Sequence, residues 1–223
     1  MHEDEPSVFM VSGECNDNPI DHGFFHELLR LVICLSGVGI AFDLQKNRIV
    51  TPFCSESSLV LEGKPDISGL ELHFFPGPLY RQLLDSKDGP PAILKVRKLP
   101  IRGELHNHPI RLDNIQLMTS RLIGDAFISY YESKSSFAKE KWGNETKRWP
   151  ATWRFGWAMR NACVHDGKIF FHKENDSAVF WRSRRYDHAD NGRQILFDEI
   201  AGADLIFLME EMGWRLKSWQ HAG

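Results

Sequence analysis

Two spacings of apolar residues run through the chain, and they are unevenly distributed. From 21 to 35, "DHGFFHELLRLVICL" places Phe24, Phe25, Leu28, Leu31, Val32 and Leu35 three and four residues apart. That spacing predicts a helix over 21–36, with Asp21 as N-cap and Gly37 and Gly39 closing it. Residues 40–75 change period. "IAFDL", "RIVTPF", "SLVLEG" and "LELHFF" are short, rich in β-branched and aromatic residues, and parted by Asn, Ser, Gly and Pro, so they read as strands. "PGPLYRQLLDSK" reads as a short helix opened by proline. "PPAILKVRKLPIRGELHNHP" reads as a strand inside a proline-rich connector, which puts an internal boundary near 105/106.

The second half returns to helical spacing. In 109–142 the apolar positions Ile110, Leu112, Ile115, Leu117, Met118, Leu122, Ile123, Phe127, Ile128 and Tyr131 mark one long amphipathic helix. A second helix runs from Trp149-Pro150 to a stop at Gly167, and a third covers 200–219 around Leu205, Ile206, Leu208, Met209 and Met212. Between them "KIFFHKENDSAVFWRSRRY" alternates and reads as a β-hairpin turning at Asn175-Asp176. The expected fold is therefore α+β, mainly α. A helical bundle of 21–36, 109–142, 149–166 and 200–219 carries a small β-rich insert after its first helix and a hairpin before its last. Residues 1–105 and 106–223 are read as two parts, or as one continuous domain.

Composition narrows the function. The chain has 223 residues, 42% of them hydrophobic, with a net charge of −3. That length builds a sizeable core, and that charge excludes a protein coated in cations for duplex DNA. Cys15, Cys34, Cys54 and Cys163 form no C-x-x-C pair, and Cys34 and Cys163 lie in apolar runs, so they are read as core thiols and not as a zinc knuckle or disulfide frame. "MHEDEPSVF" has no basic n-region, and "LLRLVICLSGVGIAF" is too short to span a bilayer. A reducing, cytoplasmic setting with no membrane contact is expected.

The stretch that carries chemistry is "RNACVHDG", residues 160–167. It ends an aromatic-rich helix at Asp166-Gly167, which puts His165 in the last turn, where unpaired carbonyls make the field negative. Asn161 and His165 stand one turn apart on one face, while Arg160 is about 140° round from His165 on an ideal helix. One such helix makes a poor two-residue site, and two copies facing each other make a better one. The residue types suit RNA cleavage by its own 2′-hydroxyl: an imidazole moves protons near neutrality, and a guanidinium clamps phosphate oxygens as charge grows on them. Asn161 would hold a phosphate or fix the histidine tautomer, with no metal and no cofactor needed. Spacing alone is weak, since an arginine followed by a histidine at four to six residues arises by chance about once in such a chain; Arg-Asn-x-x-x-His is rarer, on the order of 1%.

"MRNACVHDGKI" resembles the R-(N/H/D)-x3-5-H signature of the HEPN superfamily, helical domains of prokaryotic toxins, abortive-infection proteins and RNA-guided defence effectors. The resemblance spans roughly 109–219 and leaves 1–105 unexplained. It implies a dimerising bundle that pairs two motifs into one composite site for metal-independent endoribonuclease activity, in toxin–antitoxin or phage-defence systems. Carried over, Arg160 and His165 are catalytic and Asn161 supports them. RNA, a second copy of the chain and an antitoxin or other protein are the implied partners. The same family includes non-catalytic dimerisation or binding modules, which is the alternative reading.

Other stretches are weaker. In "WRSRRYDH" Arg184 and Arg185, with Trp181 and Tyr186 beside them, are candidates for gripping RNA. His22 and His26 have the i, i+4 spacing of metal ligands, and His106 and His108 form a second pair. A zinc protease is not supported, because the pattern H-E-x-x-H is incomplete. "SGVGIAF" follows a helix instead of opening one, the wrong order for a phosphate loop. Trp149, Trp153 and Trp157 recur every four residues and are read as core or dimer interface.

Overall fold

A computed structural model describes residues 8–12, 27–37, 58–76, 93–101, 110–111, 116–171 and 177–217. Five strands form one sheet: β1 (Val8–Ser12), β2 (Leu59–Glu62), β3 (Leu70–Phe74), β4 (Ile93–Pro100) and β5 (Ile110–Arg111), in the order β1-β4-β3-β2-β5. Every pairing is antiparallel except β2 with β5, which is parallel. The helices are α1 (27–37), α2 (Gln116–Trp142), α3 (Ala151–Val164) and α4 (Gly202–Lys217), and a hairpin of β6 (Val179–Trp181) and β7 (Arg184–Tyr186) precedes α4. The fold is α+β, with helix outweighing strand among the described residues.

Period-2 alternation decides which face of the sheet the helices cover. Leu59, Phe74 and Val96 lie in one cross-strand row and, with Leu61 and Leu72, join the core beneath the helices. Lys98 points the same way, donating to both carboxylate oxygens of Glu210 on α4 at 2.7 and 2.6 Å. Val60, His73 and Arg97 form the row on the other face. The hydrophobic cluster runs without a break from Leu28, Leu31, Val32 and Leu35 of α1 through the sheet to α4.

Helices α2, α3 and α4 pack against one another. Trp153 of α3 is fully buried, with ring centroids of Tyr131, Trp142 and Trp149 within 5.9 Å, and its indole N–H donates to the Met212 carbonyl at 3.0 Å. Burial of one such side chain stabilises by roughly 1.5–3 kcal/mol. Gly156 lets α3 approach α4 closely, since a Cβ there would stand 2.6 Å from the Met212 sulfur. Asp204, near the start of α4, is completely buried. It accepts from Lys64 N (3.0 Å), Ser68 Oγ (2.6 Å) and Ala201 N (3.0 Å), pinning the β2–β3 loop to the helix.

Four expectations change. The long helix does not begin at 109: Ile110–Arg111 pair with β2 as a strand, and the described helix starts at Gln116. The strand at 93–100 is no connector, for it lies inside the sheet between β1 and β3. The hairpin turns at Arg182-Ser183, with Arg182 at φ +50, because its guanidinium docks on Glu211 at 2.6 Å while Trp181 Nε1 donates to the same carboxylate. Asn175-Asp176, the expected turn, lies outside the described residues, as do 21–26 and the expected strands "IAFDL" and "RIVTPF". Finally, Cys34 faces solvent; only Cys163 of that pair is buried. No helix among the described residues is long and apolar enough to cross a membrane.

Candidate active site

Helix α3 delivers the motif. Pro150 stands at its N-cap, where a missing N–H costs nothing. At the far end Gly167 N–H returns to the Ala162 carbonyl at 2.8 Å, the six-to-one bond of a Schellman closure. The left-handed residue is Asp166 (φ +52), with Gly167 also at positive φ (+85), so His165 is the C-cap instead of a residue of the last turn. Gly167 is required twice over: by its φ, and because a Cβ would run into the Gln194 side-chain amide.

Arg160 is partly exposed and held in place. Its Nε and Nη2 both donate to Glu132 Oε1 of α2 at 2.7 Å, and Nη1 reaches Asn161 Oδ1 at 3.4 Å. Asn161 itself is buried, 6% exposed, and its amide nitrogen has no hydrogen-bond partner among the described residues. An unpaired buried donor costs about 1–3 kcal/mol. His165 is exposed, its ring set edge-on to Phe170 with centroids 5.1 Å apart, and its ring nitrogens have no hydrogen-bond partner among the described residues. Val164 beside it is 49% exposed. Arg160 and Asn161 are thus in contact, whereas in one copy of the chain nothing links Arg160 to His165 among the described residues.

A cavity of about 600 Å³ opens beside the same terminal turn, lined in part by Arg121, Asp125, Cys163, Asp166, Gln194 and Asp198. Burial, then the charge of Asp125, pushes the Cys163 thiol up to about 12, so it stays protonated and is no nucleophile.

Arg184 and Arg185 are placed elsewhere. Arg184 is ion-paired with Asp66 at 2.7 Å and Arg185 with Asp187 at 2.6 Å. Their hairpin packs on α3 through Phe155, which stacks with Tyr186 and lies beside Trp181. Phe155 is ten residues before His165, or about 15 Å along the axis. His22, His26, His106 and His108 lie outside the described residues; among those described, no cluster of three or more His, Cys, Asp or Glu suits a metal.

Glu132 and Phe170 were not found from sequence. Glu132 lies 28 residues before its partner, beyond any local spacing, whereas Phe170 was within sight as the aromatic just after the motif. A further network also escaped notice: His73 Nδ1 is 3.3 Å from Ser58 Oγ, and Nε2 is 2.9 Å from Glu71 Oε1. Its order imitates a nucleophilic triad. A hydroxyl on a residue 5% exposed gives a substrate no approach, and the network is structural.

Compared with protein-family models, with curated proteins and with solved structures, the chain matches none.

Proposed function

We propose that the protein is a metal-independent endoribonuclease of HEPN type, acting as a homodimer whose two α3 ends face each other. One observation carries the reading. At the end of a single helix stand an arginine fixed by a carboxylate, a buried asparagine and an exposed histidine, and among the described residues the asparagine amide nitrogen and both imidazole nitrogens have no hydrogen-bond partner. Preorganised cations and proton-transfer groups of this kind are what phosphodiester cleavage requires.

In the proposed reaction one imidazole takes the proton of the 2′-hydroxyl, which attacks phosphorus. The partner copy's imidazole protonates the departing 5′-oxygen. Arg160 neutralises the phosphate oxygens, Glu132 keeps the guanidinium aimed, and the buried Asn161, whose Oδ1 lies 3.4 Å from Arg160 Nη1, helps to position it. Val164 supports the facing of two copies, since an exposed apolar side chain beside the motif is covered by the same contact. Arg184 and Arg185 would grip RNA only in exchange for Asp66 and Asp187. A role as a toxin or phage-defence effector, in the cytoplasm and with an antitoxin, rests on the family resemblance.

The second reading is a non-catalytic dimerisation module. The Glu132–Arg160 pair favours it, because a purely structural arginine makes the same contact. Purified protein incubated with total RNA and tRNA in EDTA separates the two. Cleavage by wild type, lost in Arg160→Ala and His165→Ala while fold and dimer persist, is the expected result. Intact RNA in every lane would leave the binding module.

A further inference from the structure

The opposite end of the bundle carries a second surface. Lys141 Nζ donates to the carbonyls of Arg215 (2.7 Å) and Leu216 (3.2 Å), so the C-terminal ends of α2 and α4 lie side by side. Segments 139–148 and 214–217 together contain six lysines and arginines against two glutamates, in a chain of net charge −3. Cations at helix C-termini suit the dipole and need no ligand to explain them. Trp214 is different, because its side chain is 65% exposed although the apolar residues of α4 around it are buried. Lys217 Nζ lies 5.7 Å from its ring centroid, and Lys141 Nζ lies 4.9 Å from that of Trp142. An exposed indole among cations offers a stacking plane and phosphate contacts together, the combination that single-stranded nucleic acid uses.

We propose that the adjoining C-terminal ends of α2 and α4 form a docking platform for single-stranded nucleic acid. Trp214 stacks a base there, and the surrounding lysines and arginines hold phosphates. A membrane surface fits less well, since surface-bound helices turn a broad apolar face outward and α4 turns its own inward. Helix α3 begins beside this platform, where Trp149 Nε1 donates to the Gly143 carbonyl, and its 14 residues lead about 20 Å to the motif. At the ~3.4 Å spacing of stacked nucleotides, roughly six of them span that length.

The platform is tested by binding, without cleavage. The His165→Ala protein is titrated into fluorescein-labelled oligouridine and followed by anisotropy, with phosphatidylserine vesicles in a parallel arm. Binding is expected to weaken steeply between about 50 and 200 mM salt. Trp214→Ala should weaken it about tenfold at fixed salt. Arg215→Glu with Lys217→Glu should lower the log–log salt slope by about 0.7 for each phosphate no longer neutralised. Arg30→Glu, a charge reversal on α1, should leave binding unchanged, and circular dichroism should show all variants folded. Equal binding by the platform variants and their parent would overturn the proposal. So would an equal loss in Arg30→Glu, or vesicle binding through Trp214 with oligouridine unbound. Cleavage by wild type, with Trp214 irrelevant to binding, would remove the platform and keep the ribonuclease reading. Binding through Trp214 without cleavage would do the reverse.

Discussion

The two ends of the bundle close their helices by different means. Helix α3 has no basic residue in its last turn and ends by backbone geometry, with Asp166 and Gly167 at positive φ folding N–H groups back onto its carbonyls. Helices α2 and α4 end in lysines and arginines, and one lysine supplies hydrogen bonds to the carbonyls that end α4. Both devices satisfy the same orphan groups, but they leave opposite surfaces. The motif end has Arg160 neutralised by Glu132 and a cavity edged by aspartates. The other end has concentrated positive charge and an open indole. A backbone closure leaves the His165 ring without a hydrogen-bond partner among the described residues, as the proposed proton transfer would require, while a side-chain closure fills the surface with positive charge.

The strongest way to break this comparison is at the motif. On the proposed mechanism His165→Ala should lower cleavage by about 10²–10⁴, the range of a lost acid–base group, and Arg160→Ala by about 10²–10³, the range of a lost charge-stabilising donor. Loss of cleavage in the Trp214 variant alone would reverse the division of labour. Next in size, Gly167→Ala should cost about 1–3 kcal/mol in urea unfolding, because alanine resists φ +85 and its methyl meets Gln194. The corresponding change at Gly143, also at positive φ but with open space around it, should cost less. A smaller effect is expected from Glu132→Gln: under about 1 kcal/mol of stability, since the pair is half-exposed, with cleavage down about tenfold as Arg160 loses its aim. A large loss of stability instead would make Glu132 a structural residue.

The smallest effect concerns the start of α4. Burial raises the Asp204 carboxyl above its ordinary range, against the pull of hydrogen bonds from Ser68, Lys64 and Ala201. A raised carboxyl gives its full stability below its unfolded value and loses part of it as pH climbs through its folded value. Asp204→Asn keeps one acceptor oxygen for the two N–H groups, and the Ser68 hydroxyl can turn to accept. It should therefore change stability by less than about 1 kcal/mol at neutral pH and remove that carboxyl's contribution to the pH slope. A loss of several kcal/mol would show that the charge itself holds the loop.

Much of this was legible in the chain. Leu28, Leu31, Val32 and Leu35 repeat at helical intervals and are buried, and α3 and α4 fall within two residues or so of their expected limits. The strands at 59–62 and 70–74 were visible because alternation and turn residues coincide. Ile110 was misread because a β-branched residue after proline satisfies both the start of a helix and an edge strand, and only the distant partner β2 decides between them. The hairpin turn was missed because Arg182-Ser183 carries no glycine or asparagine; its geometry is held by Glu211 on α4, a contact no local window contains. Cys34 sits in an apolar run but on the outward side of α1, so composition misled where the angle around the helix did not. Of the site, Arg160, Asn161 and His165 were legible as a motif; Glu132 and the basic end, assembled from two distant helices, were not.

The Asp204 clasp has a consequence for biosynthesis. The β2–β3 loop is fixed by a carboxylate about 140 residues downstream, and Lys98 of β4 waits for Glu210 in the same late helix. Chains emerge from the ribosome at about 5–20 residues per second, and contacts between distant segments form late. A sheet assembled before α4 is made would stand for several seconds with its apolar row uncovered by that helix. Nascent chains stalled upstream of residue 202 are where holding chaperones should be found.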